Sequence, residues 1–487
     1  MPAGVLIDVV YLHGGHARPD ASSRSVERMA AGLQGVQRRR ARDAADEAEL
    51  IMGLAAQRPA AADPAPGTPG ARRPGWAVDE AYDGASEFFT AELATVLNVG
   101  RGTAAHRYGR ARTWIAKLPL TFAALAAGEI DERRAAELAD VLQHTTAAVA
   151  GQVEATLIED ATTLSVARLR ARATEELLRL DAAAAEERRS AAAEVADVHL
   201  YPSATEGRAT LAADLPAEEA VECFDVVDQL AKLLKADGDD RRIGALRAHV
   251  LSMLIRRPAD NGLPSVCANV SVTANLAALV AASSAPGEVS GLPVTAAHLR
   301  ELLARVGALG VTTPEGGSLT YALTGPNGAL LTTTTPAELA RLARRGCRAH
   351  PDDDGTRAQC DCPVTGPPAE TDAYEPTDRQ RAFVTTRDRR CRFPNCGQRV
   401  GWADLDHVHA HACGGATDCT NLCCLCRSHH RLKTFAPGWR FTMDDDGTLH
   451  VTTPSGVTRT TRPPGLRPPP QPPPEPPPCL ADEPPPF

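Results

Sequence analysis

Between Asp404 and Lys433 the chain reads DLDHVHAHACGGATDCTNLCCLCRSHHRLK, thirty residues that hold five histidines, five cysteines and three aspartates. So many coordinating side chains in so short a span limit the fold more than any propensity does, because they must meet around an ion or pair with one another. Of the 13 cysteines, 11 lie at or beyond position 347 and seven fall within Cys391 to Cys426. A disulfide framework would spread cysteines through a small secreted domain. Clustering with histidines in a chain of 487 residues points to metal instead.

The spacing divides the ligands. A helix expected from about Thr377 to Arg389 leads into Cys391 and Cys396, a C-x4-C knuckle. Thirty residues after Cys396 comes Cys426, and Cys426-x2-His429 supplies a second pair. Three thiolates and an imidazole suit a tetrahedral structural Zn2+ with no open position. That leaves Asp406, His407, Asn421 and His430, a set that fits hydrolysis of a phosphodiester at a single cation. His407 can serve as the base for water, since a neutral imidazole is available near physiological pH. Asp406 offers oxygen to a hard divalent cation such as Mg2+, and His430 approaches the same cation from a helix.

If NLCCLCRSHHRLK is helical, Cys426 and His429 share a face and His430 is turned by about 100°. Cys426 and His430, four apart, could share a face as well, and Cys423-x2-Cys426 is a further zinc pair. Which of His429 and His430 binds zinc therefore stays open at this level, with His429 preferred. Asn421 falls where this helix should begin, either as its N-cap or as a tie that orients His407. By the period of two, His409 and His411 lie on the same side of the strand as His407, as extra ligands, phosphate contacts or ordinary packed histidines. Cys413 and Cys419 receive no role.

The rest of the chain sets the context. Its length suggests two or three domains. With 43% hydrophobic and 23% charged residues it reads as soluble and globular, and with 4% aromatics its cores must rely on Ala, Leu and Val. The N-terminus lacks the basic start of a secretory signal, and no apolar run reaches the ~18 residues of a membrane span. A cytoplasmic protein is expected. Residues 1–77 read as a flexible segment and linker with one helix near SVERMAAGLQGVQRRR. Residues 78–256 read as a helical domain, 257–345 as a small α+β module with a hairpin around Pro326-Asn327-Gly328, and 346–376 as a linker. Cys347, His350, Cys360 and Cys362 in that linker form either a second zinc site or a plain loop. Within the helical domain, ELATVLNVGRGTAAHRYGRARTWIAKLP is either a helix-turn-helix carrying Arg107, Arg110 and Arg112 or a helical hairpin with a solvated basic face. The metal-rich domain spans 377–462, and the proline tract 463–487 is a disordered tail or a ligand for a groove-bearing protein partner. The fold class is thus multidomain and mainly α.

CRFPNC, DLDHV, the GG pair, NL and LCRSHHRLK together resemble the HNH nuclease motif. The later KTFAPGW, DGT and TPSGVTRTTRPPG extend the likeness. From about residue 80 to 465 the chain resembles an actinobacterial family that joins a helical domain of unknown function, number 222, to a C-terminal HNH domain. That resemblance implies a ββα-metal fold with a zinc knuckle, in which His407, Asn421 and His430 are catalytic and Asp406 with His430 holds the divalent cation. It gives the zinc to Cys391, Cys396, Cys426 and His429. The chain departs from the pattern at HVHAHACGG, where such sequences more often carry Pro and Trp, and in its extra Cys419 and Cys423.

The whole chain carries a formal charge of -9, so attraction to nucleic acid must be local. From Arg379 to Arg440 there are eleven Lys/Arg against four Asp/Glu, a net of +7. Arg392, Arg427, Arg431 and Lys433 are the expected phosphate contacts, on DNA without base readout. The expected activity is divalent-metal-dependent endonucleolytic cleavage. The rival is a zinc-supported nucleic-acid-binding module without catalysis, and a weaker third is an interaction scaffold. Oligomeric state is not legible from the sequence.

Overall fold

A computed structural model describes residues 25–71, 84–182, 196–255, short stretches between 272 and 335, and 366–467. The connector cysteines at 347, 360 and 362, and the proline tract beyond residue 467, lie outside the described residues. The described chain is mainly helical with small antiparallel sheets. It divides into two compact units, Met1–Ala185 with Phe435–Pro437, and Glu186–Thr434 with Gly438–Phe487.

The first unit is a helical bundle. It comprises α1 (Val26–Ala56), α2 (Phe89–Leu97), α3 (Arg101–Lys117), α4 (Pro119–Ala127), α5 (Glu132–Leu142), α6 (Ala147–Ala161) and α7 (Val166–Leu180). Helix boundaries follow local chemistry. Ser25, Asp131 and Thr146 cap α1, α5 and α6 with side-chain acceptors, and Pro119 opens α4 where its missing N–H costs nothing. The helix expected near SVERMAAGLQGVQRRR is α1, and within a segment otherwise expected to be flexible it enters the core through Ala41, Ala45, Ala48, Ile51 and Ala55. These recur every three or four residues, a helix stripe whose small side chains let neighbours pack closely.

Helices α2 and α3 decide between the two readings of the basic hairpin. Every residue from Phe89 to Thr95 is buried, and Asn98 turns the chain in the left-handed region at φ 56°. Arg107 donates to Glu47 at 2.9 Å, and Arg110 grips both oxygens of Asp140 at 2.9 and 2.7 Å. Those arginines are committed to internal carboxylates, which favours the packed helical hairpin.

In the second unit, β1 (Val198–Pro202) and β2 (Ala209–Ala213) form an antiparallel hairpin. Helices α8 (Ala217–Ala236) and α9 (Ile243–Ile255) then pair through Val227, Ala231, Leu246 and Val250. The helical domain expected over 78–256 is therefore interrupted, with the bundle ending at α7. Strands β3 (Val272–Thr273), β4 (Gly287–Val289) and β5 (Leu292–Val294) form a small sheet, followed by helix α10 (Ala296–Arg305). The hairpin expected around Asn327 and Gly328 is present as β6 (Tyr321–Thr324) and β7 (Leu330–Thr334).

The metal-rich region builds on helix α11 (Asp378–Asp388), which opens with a reciprocal capping box between Thr377 and Gln380. Strand β8 (Ala403–His407) pairs antiparallel with β9 (Leu422–Cys426), and helix α12 (Arg427–Phe435) follows without a break. Strands β10 (Arg440–Met443), β11 (Leu449–Thr452) and β12 (Thr458–Thr461) close the region as a meander. At its centre Asp388 is fully buried and accepts from Arg387 at 2.8 Å, Arg392 at 3.0 Å and the Cys424 N–H at 2.8 Å. Arg387 reaches on to the carbonyls of Cys419 and Leu422, and Arg392 to those of Gly447 and Thr461. Asp388→Ala would strand two buried guanidinium groups, an expected loss of about 3–5 kcal/mol in denaturant unfolding of the region. A loss under about 1 kcal/mol would show that the network is dispensable.

Candidate metal centre and adjoining site

Two groups of side chains sit back to back on the start of α12. The first holds Cys391, Cys396, Cys426 and His429, whose ligand atoms all lie within 4.8 Å of one another. His429 Nδ1 is 3.4 Å from Cys391 Sγ and 3.2 Å from Cys426 Sγ. Ligands of a tetrahedral zinc, with bonds of 2.0–2.3 Å, stand roughly 3.6 Å apart, so a slight opening of the group admits the ion. These four residues could hold a metal ion such as zinc. The knuckle is shaped by Asn395 at φ 58°, and the Phe393 ring lies flat on His429 at a centroid distance of 3.9 Å. Crowding three thiols perturbs all of them. Hydrogen bonds with Cys396 and Cys426 push the Cys391 thiol up, while its bond with Cys391 holds Cys426 far below the ordinary thiol range.

The stretch NLCCLC is a strand where a helix was expected. Its five residues Leu422–Cys426 are all buried and pair with β8. On a strand, residues three apart face opposite sides, which removes Cys423-x2-Cys426 as a zinc pair. Asn421 accordingly caps no helix. Its Oδ1 accepts from the His409 N–H at 2.8 Å, and its Nδ2 donates to the carbonyls of His409 at 3.0 Å and Ala416 at 2.8 Å. It ties the loop after β8 to the start of β9. The loop needs its glycine pair, since a Cβ on Gly415 would lie 2.0 Å from the His409 carbonyl oxygen. Gly415→Ala is expected to lower the melting temperature by several degrees. Gly401→Ala, whose Cβ would meet nothing within 4 Å, should leave it unchanged. Equal effects of the two would refute this account of the loop.

The second group contains Asp404, Asp406, His430 and Lys433. Asp404 and Asp406 are two apart on β8 and so face the same way, toward α12. His430 Nδ1 is 2.8 Å from Asp404 Oδ2, and its Nε2 is 3.5 Å from Asp406 Oδ1. Asp406 Oδ2 sits 3.0 Å from Lys433 Nζ yet is buried without an aligned hydrogen bond. The Lys433 ammonium instead donates to the His407 carbonyl at 2.6 Å. Thus His429 goes with the thiols and His430 with the carboxylates.

His407 closes β8, one residue on from Asp406. It is 6% exposed, with Nε2 2.8 Å from the Thr417 hydroxyl, and its Nδ1 has no hydrogen-bond partner among the described residues. Burial lowers its pKa, helped by His411 and Lys433 and opposed by Asp406. The Tyr374 ring stacks on His407 at 5.4 Å, and His411 meets both rings edge-on at 5.5 Å. Since β8 ends at His407, His409 lies on the following loop and His411 opens a short 3-10 turn, His411–Cys413, so neither is on the strand.

The expected phosphate contacts separate. Arg392 is 3% exposed and bound up with Asp388, and Arg431 is also buried, so neither presents a surface cation. Lys433 belongs to the Asp406 group. Arg427 is exposed, in an ion pair with Asp404 at 3.2 Å. Sequence reasoning passed over Asp404, although the D-x-D alternation signals it. It also missed Thr417, which nothing marks, and Tyr374, which sits in the expected linker. Residues 366–376 are not a bare linker, since Thr371 pairs with Thr417 and Gln380 donates to the Ala369 carbonyl.

Among the described residues no helix is long and apolar enough to cross a membrane. Uncharacterized protein Rv3776 of Mycobacterium tuberculosis is 47% identical over 90 residues, which is 18% of this chain and 17% of that relative. Uncharacterized protein Rv2100 of the same organism is 44% identical over 90 residues, 18% of this chain and 16% of that relative. The chain thus spans about a sixth of these relatives' length. No solved structure matches. The family described as Domain of unknown function (DUF222) matches residues 40–324, from within α1 to the end of β6. With more than half its length covered, the chain belongs to the DUF222 family.

Proposed function

We propose that the region from α11 to β12 is an HNH-type endonuclease that hydrolyses DNA phosphodiesters at a divalent cation, beside a structural zinc. The observation that carries this reading is the pairing of an unprotonated-prone His407 with a carboxylate and imidazole poised for a cation. Asp406 Oδ2 is buried with no aligned hydrogen bond, its neighbour being the Lys433 ammonium at 3.0 Å, and His430 Nε2 faces Asp406 Oδ1, so one hard and one borderline donor meet at one place. Asp406 and His430 would hold Mg2+ or Mn2+, which when bound offsets charge on the phosphate and the leaving oxygen.

The chain's own residues handle the proton. The role requires the tautomer in which His407 Nε2–H donates to the Thr417 hydroxyl, 2.8 Å away, which leaves the Nδ1 lone pair to accept a proton from water. Lys433 fixes the end of β8 through the His407 carbonyl, and Asn421 fixes the loop beyond it. Arg427, exposed at the first residue of α12, is the cation best placed for a phosphate.

The test is conversion of supercoiled plasmid to nicked or linear DNA by the full chain with Mg2+ or Mn2+, against a chelator control. Metal-dependent nicking supports the proposal. Binding of DNA without cleavage under any divalent metal replaces it with the zinc-supported binding module.

A further inference from the structure

We infer that Asp404 is a positioning residue that fixes the tautomer of His430 and so creates the cation site. The inference rests on the endonuclease reading and goes one residue beyond it. The Asp404 carboxylate is an acceptor only, and it stands 2.8 Å from His430 Nδ1. A hydrogen bond there requires the proton on Nδ1, which leaves Nε2 as a bare lone pair. That lone pair points to Asp406 Oδ1 at 3.5 Å, itself an acceptor. Two acceptors facing each other repel unless a cation or a proton stands between them. In a cation site the carboxylate behind the imidazole fixes the tautomer and orients the ring.

The geometry of β8 makes the arrangement possible. Asp404 and Asp406 lie on one face of the strand, and His430 lies across from both in the first turn of α12. One carboxylate thus serves the ring from behind while the other shares the ion with it. The donor set also selects among ions. An imidazole nitrogen beside a single carboxylate suits Mn2+ better than Ca2+, which prefers an all-oxygen shell. The competing arrangement is a metal-free ion-paired cluster, in which Lys433 at 3.0 Å from Asp406 Oδ2 and Arg427 at 3.2 Å from Asp404 Oδ2 balance the two carboxylates and a proton on His430 bridges them.

The experiment is Mn2+ binding to the purified full chain, followed by electron paramagnetic resonance with the zinc content held constant. Wild type is expected to bind about one Mn2+, and Asp404→Asn to bind it about 10–100-fold more weakly. Asp404→Glu, which keeps the carboxylate, should recover most of the affinity. Nitrogen shifts of the His430 ring should report the Nδ1–H form in wild type and a mixture in Asp404→Asn. Unchanged zinc content in the variant separates this effect from misfolding. If Asp404→Asn binds Mn2+ as wild type does, the positioning role is overturned while the endonuclease reading stands. If wild type binds no Mn2+, the metal-free ion-paired cluster is the correct description, and the cation site and the endonuclease reading fall together.

Discussion

Cys391→Ser is expected to strip the chain of its zinc, from about one ion per chain to near none, and to unfold the region from α11 to β12. The magnitude decides the outcome. Structural zinc supplies apparent binding energies of about 10–16 kcal/mol in small zinc domains, comparable to the whole stability of an ordinary domain at about 5–15 kcal/mol. The local core is small, a cluster of Phe383, Val384, Cys419, Leu422 and Cys424 with a few further buried side chains such as Leu425, Leu432, Leu449 and Val451. Metal analysis would report the ion, and limited proteolysis the exposure of the chain between α11 and β12. The bundle of α1 to α7 has its own core and should keep its protection. A Cys391→Ser protein that retains one zinc and remains protected would defeat the four-ligand assignment.

His407→Ala is expected to reduce plasmid nicking by about 10²–10⁴-fold while leaving DNA binding and zinc content in place. The fall reflects loss of the base alone, since Asp406, His430 and the zinc group keep their partners. The pH profile carries a second sign. Burial pushes the His407 pKa below its ordinary value, so the ring stays unprotonated further into acid than a free histidine does. The acid limb of the rate should therefore fall below about pH 6.5. A cation at Asp406 would move it the same way. Nicking that persists undiminished in His407→Ala would rule out this base.

Which features were legible depends on whether their signal is local. Helix α11 could be read because Thr377 and Gln380 write a capping box into adjacent residues. The grouping of Cys391, Cys396, Cys426 and His429, which could hold a metal ion such as zinc, was legible because cysteine and histidine spacing is itself the constraint. Strand β9 could not, because five consecutive buried residues show neither the period of a helix nor that of a half-buried strand. The charge count from Arg379 to Arg440 predicted surface cations, but counting cannot tell that Arg392 folds inward onto Asp388 four residues before it. Helix α1 could be read as a helix, but not as part of a core, because its buried face is mostly alanine and gains meaning only when its three- and four-residue spacing meets a neighbour. Tyr374 owes its place to a chain reversal between Thr371 and Thr417 that no local pattern announces.

The single step from His429 to His430 fixes how this region can change over generations. Neighbouring residues on a helix point about 100° apart, and here that angle separates two chemistries. An insertion or deletion between Cys426 and His429 would turn both rings away from their partners at once. Neither centre can be retuned in register without dismantling the other. Substitution of side chains, rather than a change in chain length, is the route open for one to be lost while the other endures.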